Sequence, residues 1–255
     1  MSDATGTTAE ADVVLRVEGL YKSFGTTPVL RGIDLEIDQH QVVVAIGASG
    51  SGKSTLLKTI NLLERVDDGR IFLKGEDISD PRIDVDRTRA RIGVVFQQFN
   101  LFPHLSVLDN VTLASRKVHG IGRDEAEATA LGWLERIGLG AKVTDFPDRL
   151  SGGQQQRVAI IRAIVTNPEL LLLDEITSAL DPLLVGEVLD LVAELKAAGS
   201  TILMTTHEMQ FARTVADHII FLHNGVLLEQ GPPEQVFDHP RELATQQYLA
   251  RVHSG

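Results

Sequence analysis

The 255-residue chain contains no cysteine, which excludes disulfides and thiolate metal sites and fits a reducing compartment. Long apolar runs are missing too. The most apolar stretches, "QVVVAIGA" and "ELLLLD", are far shorter than the roughly 20 residues a helix needs to cross a bilayer. Positive charge is in deficit: 24 Lys and Arg against 35 Asp and Glu leave a formal net charge of −11. Phosphate backbones reward cations, so no nucleic-acid partner is expected. The opening "MSDATGTTAEADVV" lacks the basic start and apolar middle of a secretory signal, and the expectation is a cytosolic protein. What is present, 43% hydrophobic and 23% charged residues, is enough to build a substantial globular core.

Residues 1–11 are small, polar and acidic and read as a flexible tail. "GIDLEID" alternates Ile33, Leu35 and Ile37 with acids, the period of a half-buried strand. "QVVVAIG", "ELLLLDE" and "STILMTTH" are continuous apolar runs suited to buried parallel strands, and "RIGVVFQQ" is another β-rich run. Helices are expected from Lys53 to Arg65, through Ser106–Asp148 with caps at Ser106 and near Arg123–Asp124, and along "QQQRVAIIRAIVTN" up to Pro168. A further helix opens at Pro182, aligns Leu184, Val188, Leu191 and Leu195, and closes at Gly199. "HIIFLHNGVLLEQG" carries the Asn-Gly of a tight hairpin. Alternating strands and helices predict an α/β core with a mainly parallel sheet, into which the helical stretch between Gln97 and Pro168 is inserted.

"GASGSGKS", Gly47 to Ser54, matches the phosphate-loop pattern and sits between a strand and a helix, as the mechanism requires. Gly47, Gly50 and Gly52 let successive backbone N–H groups turn toward phosphate oxygens, and the following helix adds its positive end. Lys53 can reach the outer phosphates, and the Ser54 hydroxyl is placed to ligate Mg²⁺. Asp174 and Glu175 end a buried strand, where strand-end carboxylates face the same crevice as such a loop. One acid can hold the metal through water while the next orients an attacking water. His207 and Gln97 also end apolar runs, His207 as a γ-phosphate contact and Gln97 equally as contact or bystander. Phe24 reads either as core or as an aromatic plate for adenine.

In this order and approximate spacing, "GASGSGKST", "VVFQQ", "LSGGQ", "LLLLDE", "SALD" and "TTHE" resemble the ATP-binding cassette ATPases over about Val13 to Gly231, with "LSGGQ" the most specific mark. The resemblance implies an α/β fold: a RecA-like phosphate-loop core with an antiparallel β region, and an inserted helical subdomain. The nucleotide-binding core would take residues 12–97 and 166–240, the helical subdomain with the signature 98–165, and a C-terminal helix 241–255. It implies ATP and Mg²⁺ as cofactors. Gly47, Ala48, Ser49, Gly50, Ser51, Gly52, Lys53, Ser54 and Thr55 would hold the phosphates and Phe24 the adenine. Ser54, Gln97 and Asp174 would serve the metal, with Glu175 the general base and His207 beside the γ-phosphate. It also explains a second serine-and-glycine helix start. In that family two chains pair head to tail, which implies that Ser151, Gly152, Gly153 and Gln154, with Asp181 at the interface, would serve the partner's nucleotide. Ser151 is a good helix cap, and the two glycines leave amides free at a positive helix end.

"FQQFNLFPHLSVLDNVTLA" and "THEMQFARTVADHIIFLHNGVLLEQGPPEQVF" resemble the cassettes of polar amino-acid importers. That implies a peripheral protein on the cytoplasmic face of the cell membrane. Integral permease subunits would be held through the region after Gln97, and an external solute-binding protein would be engaged indirectly. Phe99, Asn100, Leu101 and Phe102 either grip a permease helix or form helical-domain core. The alternatives are another solute, lipoprotein release or export, and a soluble non-transport cassette ATPase. Two residues depart from the family pattern: Ile176 stands where proline is usual and His40 where a turn glycine is usual, and histidine tolerates positive φ better than most residues.

Overall fold

The computed structural model describes residues 13–253; the expected tail, residues 1–11, lies outside them. Strands β1 (Val13–Phe24), β2 (Thr27–Asp38), β4 (Asp68–Leu73) and β5 (Glu76–Asp77) form a four-stranded antiparallel sheet in the order β2-β1-β4-β5. Strands β3 (Val42–Ile46), β6 (Ile92–Val95), β7 (Leu170–Asp174), β8 (Ile202–Thr205), β9 (His218–His223) and β10 (Val226–Gly231) form the second sheet, ordered β10-β9-β3-β8-β7-β6. All its pairings are parallel except β9 with β10, which closes through Asn224-Gly225 at φ +50° and +79°, the conformation this dipeptide favours.

The all-apolar strands separate two cores. Val42, Val44 and Ile46 of β3 pack toward the helices, whereas Val43 and Ala45 pack toward the antiparallel sheet and α1 (Lys53–Ile60). Strand β7 divides likewise, Leu171 and Leu173 one way and Leu170 and Leu172 the other. A parallel sheet covered on both faces needs this composition.

After α2 (Val85–Arg89), the described chain between β6 and β7 holds only helical elements: α3 (Val107–Lys117), α4 (Arg123–Arg136), two 3-10 turns and α5 (Gly152–Ile164). Ser106 caps α3, its side chain accepting from the Asp109 amide at 3.1 Å. Ser151 and Gln154 form a reciprocal capping box at α5. The expected side-chain cap near Arg123–Asp124 is not formed; α4 starts after Gly122. Helix α6 (Pro182–Ala197) closes at Gly199, φ +85°, and buries Val188, Leu191, Val192 and Leu195, with Leu184 only half-buried. Helices α7 (Met209–Val215), α8 (Pro233–Asp238) and α9 (Leu243–His253) complete the helical side.

Two differences from the sequence expectation have physical causes. Helix α1 stops at Ile60 rather than Arg65, because the Arg89 guanidinium takes the Asn61 and Leu62 carbonyls and Leu62 turns left-handed at φ +58°. Strand β1 escapes the period-2 reading because bulges between Val17 and Tyr21, around Gly19 at φ +52°, break its alternation.

Helix α9 is tied to the sheet by a buried carboxylate. Glu229 of β10, 6% exposed, accepts from the Arg241 amide at 2.8 Å, the Glu242 amide at 3.2 Å and Gln235 Nε2 at 2.9 Å. Burial raises its pKa, but the amide contacts outweigh it, and the carboxyl titrates below its ordinary 4.5. The stabilisation is therefore present above about pH 4.5 and lost as pH falls through the lowered folded value. Glu229→Gln should cost about 1–3 kcal/mol at pH 7, and the gap to wild type in thermal midpoint should close under acid conditions.

Candidate nucleotide site

Strand β3 runs directly into the loop Gly47–Gly52, and α1 starts at Lys53. Glycine is required at both loop ends. A Cβ on Gly47, φ +149°, would stand 2.3 Å from the Leu222 carbonyl oxygen, and one on Gly52, φ +110°, would stand 2.9 Å from Leu30 Cδ2. Ala48, Ser49 and Gly50 form an exposed tip, while Gly47, Ser51, Gly52 and Lys53 are buried and Ser54 and Thr55 half-buried. The Lys53 ammonium folds back beneath the tip. Its Nζ donates to the Gly47 carbonyl at 2.9 Å and the Ala48 carbonyl at 3.4 Å, and stands 3.5 Å from Glu175 Oε1. Ser51 Oγ is buried with no hydrogen-bond partner. A buried cation, an unpartnered hydroxyl and a helix start converge on the loop, a combination that an anion satisfies.

The carboxylates arrive from the neighbouring strands. Asp174 and Thr205 are register partners in β7 and β8. Asp174 Oδ1 accepts from Thr205 Oγ1 at 2.8 Å and from Ser54 Oγ at 2.9 Å, joining β7, β8 and α1 at one oxygen. Glu175 adopts φ +46°, a costly conformation for a non-glycine residue. Four contacts hold it there. Its amide donates to Thr205 Oγ1 at 2.9 Å and lies 3.2 Å from the Thr205 carbonyl, and its carbonyl accepts from the Ser178 amide at 3.1 Å and Ser178 Oγ at 2.7 Å. Its Oε1 lies 3.0 Å from His207 Nε2, with Lys53 on the other side.

Other sequence-derived positions are more peripheral. Phe24 is 47% exposed and thus not core; the Lys22 ammonium lies 5.0 Å from its ring centroid. Gln97 is exposed just beyond β6 and makes no side-chain hydrogen bond among the described residues. Asp181 caps α6, accepting from the Leu183 amide at 3.0 Å. Gly153 packs against Leu184, where a Cβ would meet Leu184 Cβ at 3.1 Å. Among the described residues, no hydrogen bond or ion pair joins Ser151–Gln154 to Gly47–Thr55. The segment after Gln97 divides: Phe102 is 41% exposed, whereas Leu101 packs on the core, and Arg162 pins the Phe99 and Asn100 carbonyls.

These features belong to a defined class. The ABC transporter family model matches residues 30–178, and the chain belongs to that family, whose ATP-binding cassette fold the two sheets and helical insertion form. It is 48% identical over 231 residues to the glutamine transport ATP-binding protein GlnQ of Geobacillus stearothermophilus, covering 91% of this chain and 96% of that protein. Identity to the glutamate transport ATP-binding protein GluA of Corynebacterium glutamicum is 46% over 239 residues, 94% of this chain and 99% of that one. A solved dimeric, post-hydrolysis state of the ATP-binding cassette MJ0796, bound to ADP and Pi, matches with a TM-score of 0.76 at 33% identity, covering 86% of this chain and 98% of that chain.

Sequence reasoning passed over Thr205. It is fully buried and bonds both acids, Asp174 through its hydroxyl proton and Glu175 through its oxygen. The available signal was a polar residue ending an apolar strand beside an acid-ended one. Thr205→Val should leave a folded protein whose ATP turnover falls roughly 10–100-fold, the usual worth of a group that orients others at a metal or catalytic site. Phosphate release and circular dichroism on the same preparation would check both halves.

Proposed function

We propose that this chain hydrolyses ATP to power import of a polar amino acid or related small solute through separate membrane subunits. The observation that carries this reading is the convergence of Lys53, Ser54, Asp174, Glu175 and His207 through contacts of 2.9–3.5 Å. The solute class is supported by the glutamine and glutamate transport relatives.

Loop amides and Lys53 bind the triphosphate, and Phe24, exposed at a hairpin end, stacks on adenine. Among the described residues, no cluster of three or more His, Asp or Glu could hold a metal unaided. The hard oxygens of Ser54 and Asp174 nevertheless suit Mg²⁺, which is commonly held by one carboxylate together with water and phosphate; Gln97 adds a further oxygen. Bound Mg²⁺ neutralises charge that builds on the phosphates. Glu175 takes the proton of the attacking water, and His207 orients that carboxylate and reaches the γ-phosphate.

The core of residues 12–97 and 166–240 holds the nucleotide, and residues 98–165 carry the signature. Residues 241–255 add the C-terminal helix, of which Leu243–His253 is described. Ser151, Gly152, Gly153, Gln154 and Asp181 act on the nucleotide of a second, head-to-tail copy. Exposed Phe102 and its neighbours dock a permease on the cytoplasmic face of the membrane; among the described residues no helix is long and apolar enough to span it.

Glu175→Gln should retain ATP binding and lose roughly 10²–10⁴-fold in turnover; near-normal turnover removes Glu175 as the base. Light scattering of that variant should show one chain without nucleotide and two in excess ATP without Mg²⁺. A mass that stays at one chain counts against ATP-driven pairing of the isolated subunits. Ser151→Arg should abolish hydrolysis while each chain still binds nucleotide, and lost binding would place the signature in its own chain's site.

A further inference from the structure

One polar atom beneath the phosphate loop has no part in this scheme. Tyr248 lies on α9, and its ring packs against Phe221 with centroids 5.3 Å apart. Phe221 is the register partner of Ile46, the residue that leads into Gly47. The phenol therefore stands behind the first turn of the loop. Its Oη is buried and makes no hydrogen bond of ordinary length and angle. Burial pushes the phenol pKa up and the Glu175 carboxylate adds to the rise, while the adjacent Gly47 amide draws it down; both polar neighbours belong to the nucleotide site.

A buried hydroxyl without a well-formed partner lowers stability relative to the same ring without it. Phenylalanine would fill this place at no such cost, so packing alone does not account for tyrosine here. The helix gives the hydroxyl little freedom to leave: Glu229 fixes the start of α9, and Thr245 and Leu249 are buried along it.

We propose that Tyr248 is a positioning residue for ATP binding, its hydroxyl set by α9 against the Gly47 amide so that the first turn of the loop keeps its phosphate-receiving shape. This rests on reading Gly47–Thr55 as the phosphate loop. The helix then acts as a brace that links the end of the described chain to the site's base.

The test is Tyr248→Phe in the full chain, compared with wild type and with Lys53→Ala. Three quantities are measured: Kd for a fluorescent ATP analogue, KM and kcat for ATP, and the thermal midpoint. The expectation is Kd and KM raised roughly three- to tenfold, the worth of one hydrogen bond, with kcat at saturation changed by less than about twofold and an unchanged or higher midpoint. Unchanged Kd and KM would overturn the proposal and leave Tyr248 as ring packing. Weaker binding with a lowered midpoint would overturn it as well, since the loss would then follow from the fold. If Lys53→Ala binds nucleotide like wild type, the phosphate-loop reading fails and takes this inference with it; wild type binding while Tyr248→Phe is indistinguishable from it sinks the inference alone.

Discussion

The pairing of β7 with β8 sets Asp174 opposite Thr205, and the nucleotide site depends on that register. A slip of one residue would turn the carboxylate to the other face of the sheet and separate it from Ser54. The strands themselves cannot choose the register by polarity, since Leu170 to Leu173 are buried on both faces. Polar groups at the strand ends do so. At one end Asp174, Thr205 and Ser54 share an oxygen; at the other, Arg91 before β6 holds Glu169 before β7 through two bonds of 3.0 Å. Apolar burial drives the sheet together, and the polar groups at the strand ends align β7 with β8 at one end and with β6 at the other.

The candidate reacting groups sit where regular structure stops, and each stop is held from outside. Glu175 keeps its left-handed backbone through Thr205 and Ser178, and the next residue, Ile176, is 1% exposed in the helix-side core. That burial accounts for isoleucine where the family pattern has proline: the turn is anchored by packing in place of ring stiffness. At the other departure, His40 adopts φ +66°, its Nδ1 bonds the Gly199 carbonyl, and its amide donates to Oγ1 of Thr201, just before β8, at 2.8 Å. A side chain replaces the freedom of glycine with contacts to the end of α6.

Much of this was legible in the sequence because the relevant signals are local. The strand–glycine loop–helix at Gly47–Gly52, the parallel strands and the helix cap at Ser151 each lie within a few consecutive residues, and the structure forms all of them. What escaped depends on residues distant in the chain. The end of α1 is set by Arg89, 28 residues from the carbonyl of Asn61 that it takes. The bulges of β1 are defined only against β2, and Thr205 gains its meaning from an acid 31 residues earlier. Tyr248 carries no motif at all; only the packing of α9 on Phe221 brings it beneath the loop.

Sheet order also bears on why the chain carries two anion-receptive helix starts. The phosphate loop follows β3, whereas the helical insertion leaves from β6 at the sheet edge, with β8 and β7 between them. Three strand spacings amount to about 14 Å, and α5 lies against that edge, Ala163 packing on Gly93 of β6. Among the described residues, no hydrogen bond or ion pair joins the α5 start to the loop within one chain. Within α5, the Ser151 and Gln154 side chains each accept from the other's backbone amide, which fixes the helix start. On the proposed reading a two-fold pair supplies the missing contact, because an isologous arrangement would bring each α5 start to the partner's loop and make both sites at once. On that reading, nucleotide is then the common ligand of two surfaces that are not bonded to each other within one chain, so its cleavage removes the link that holds them.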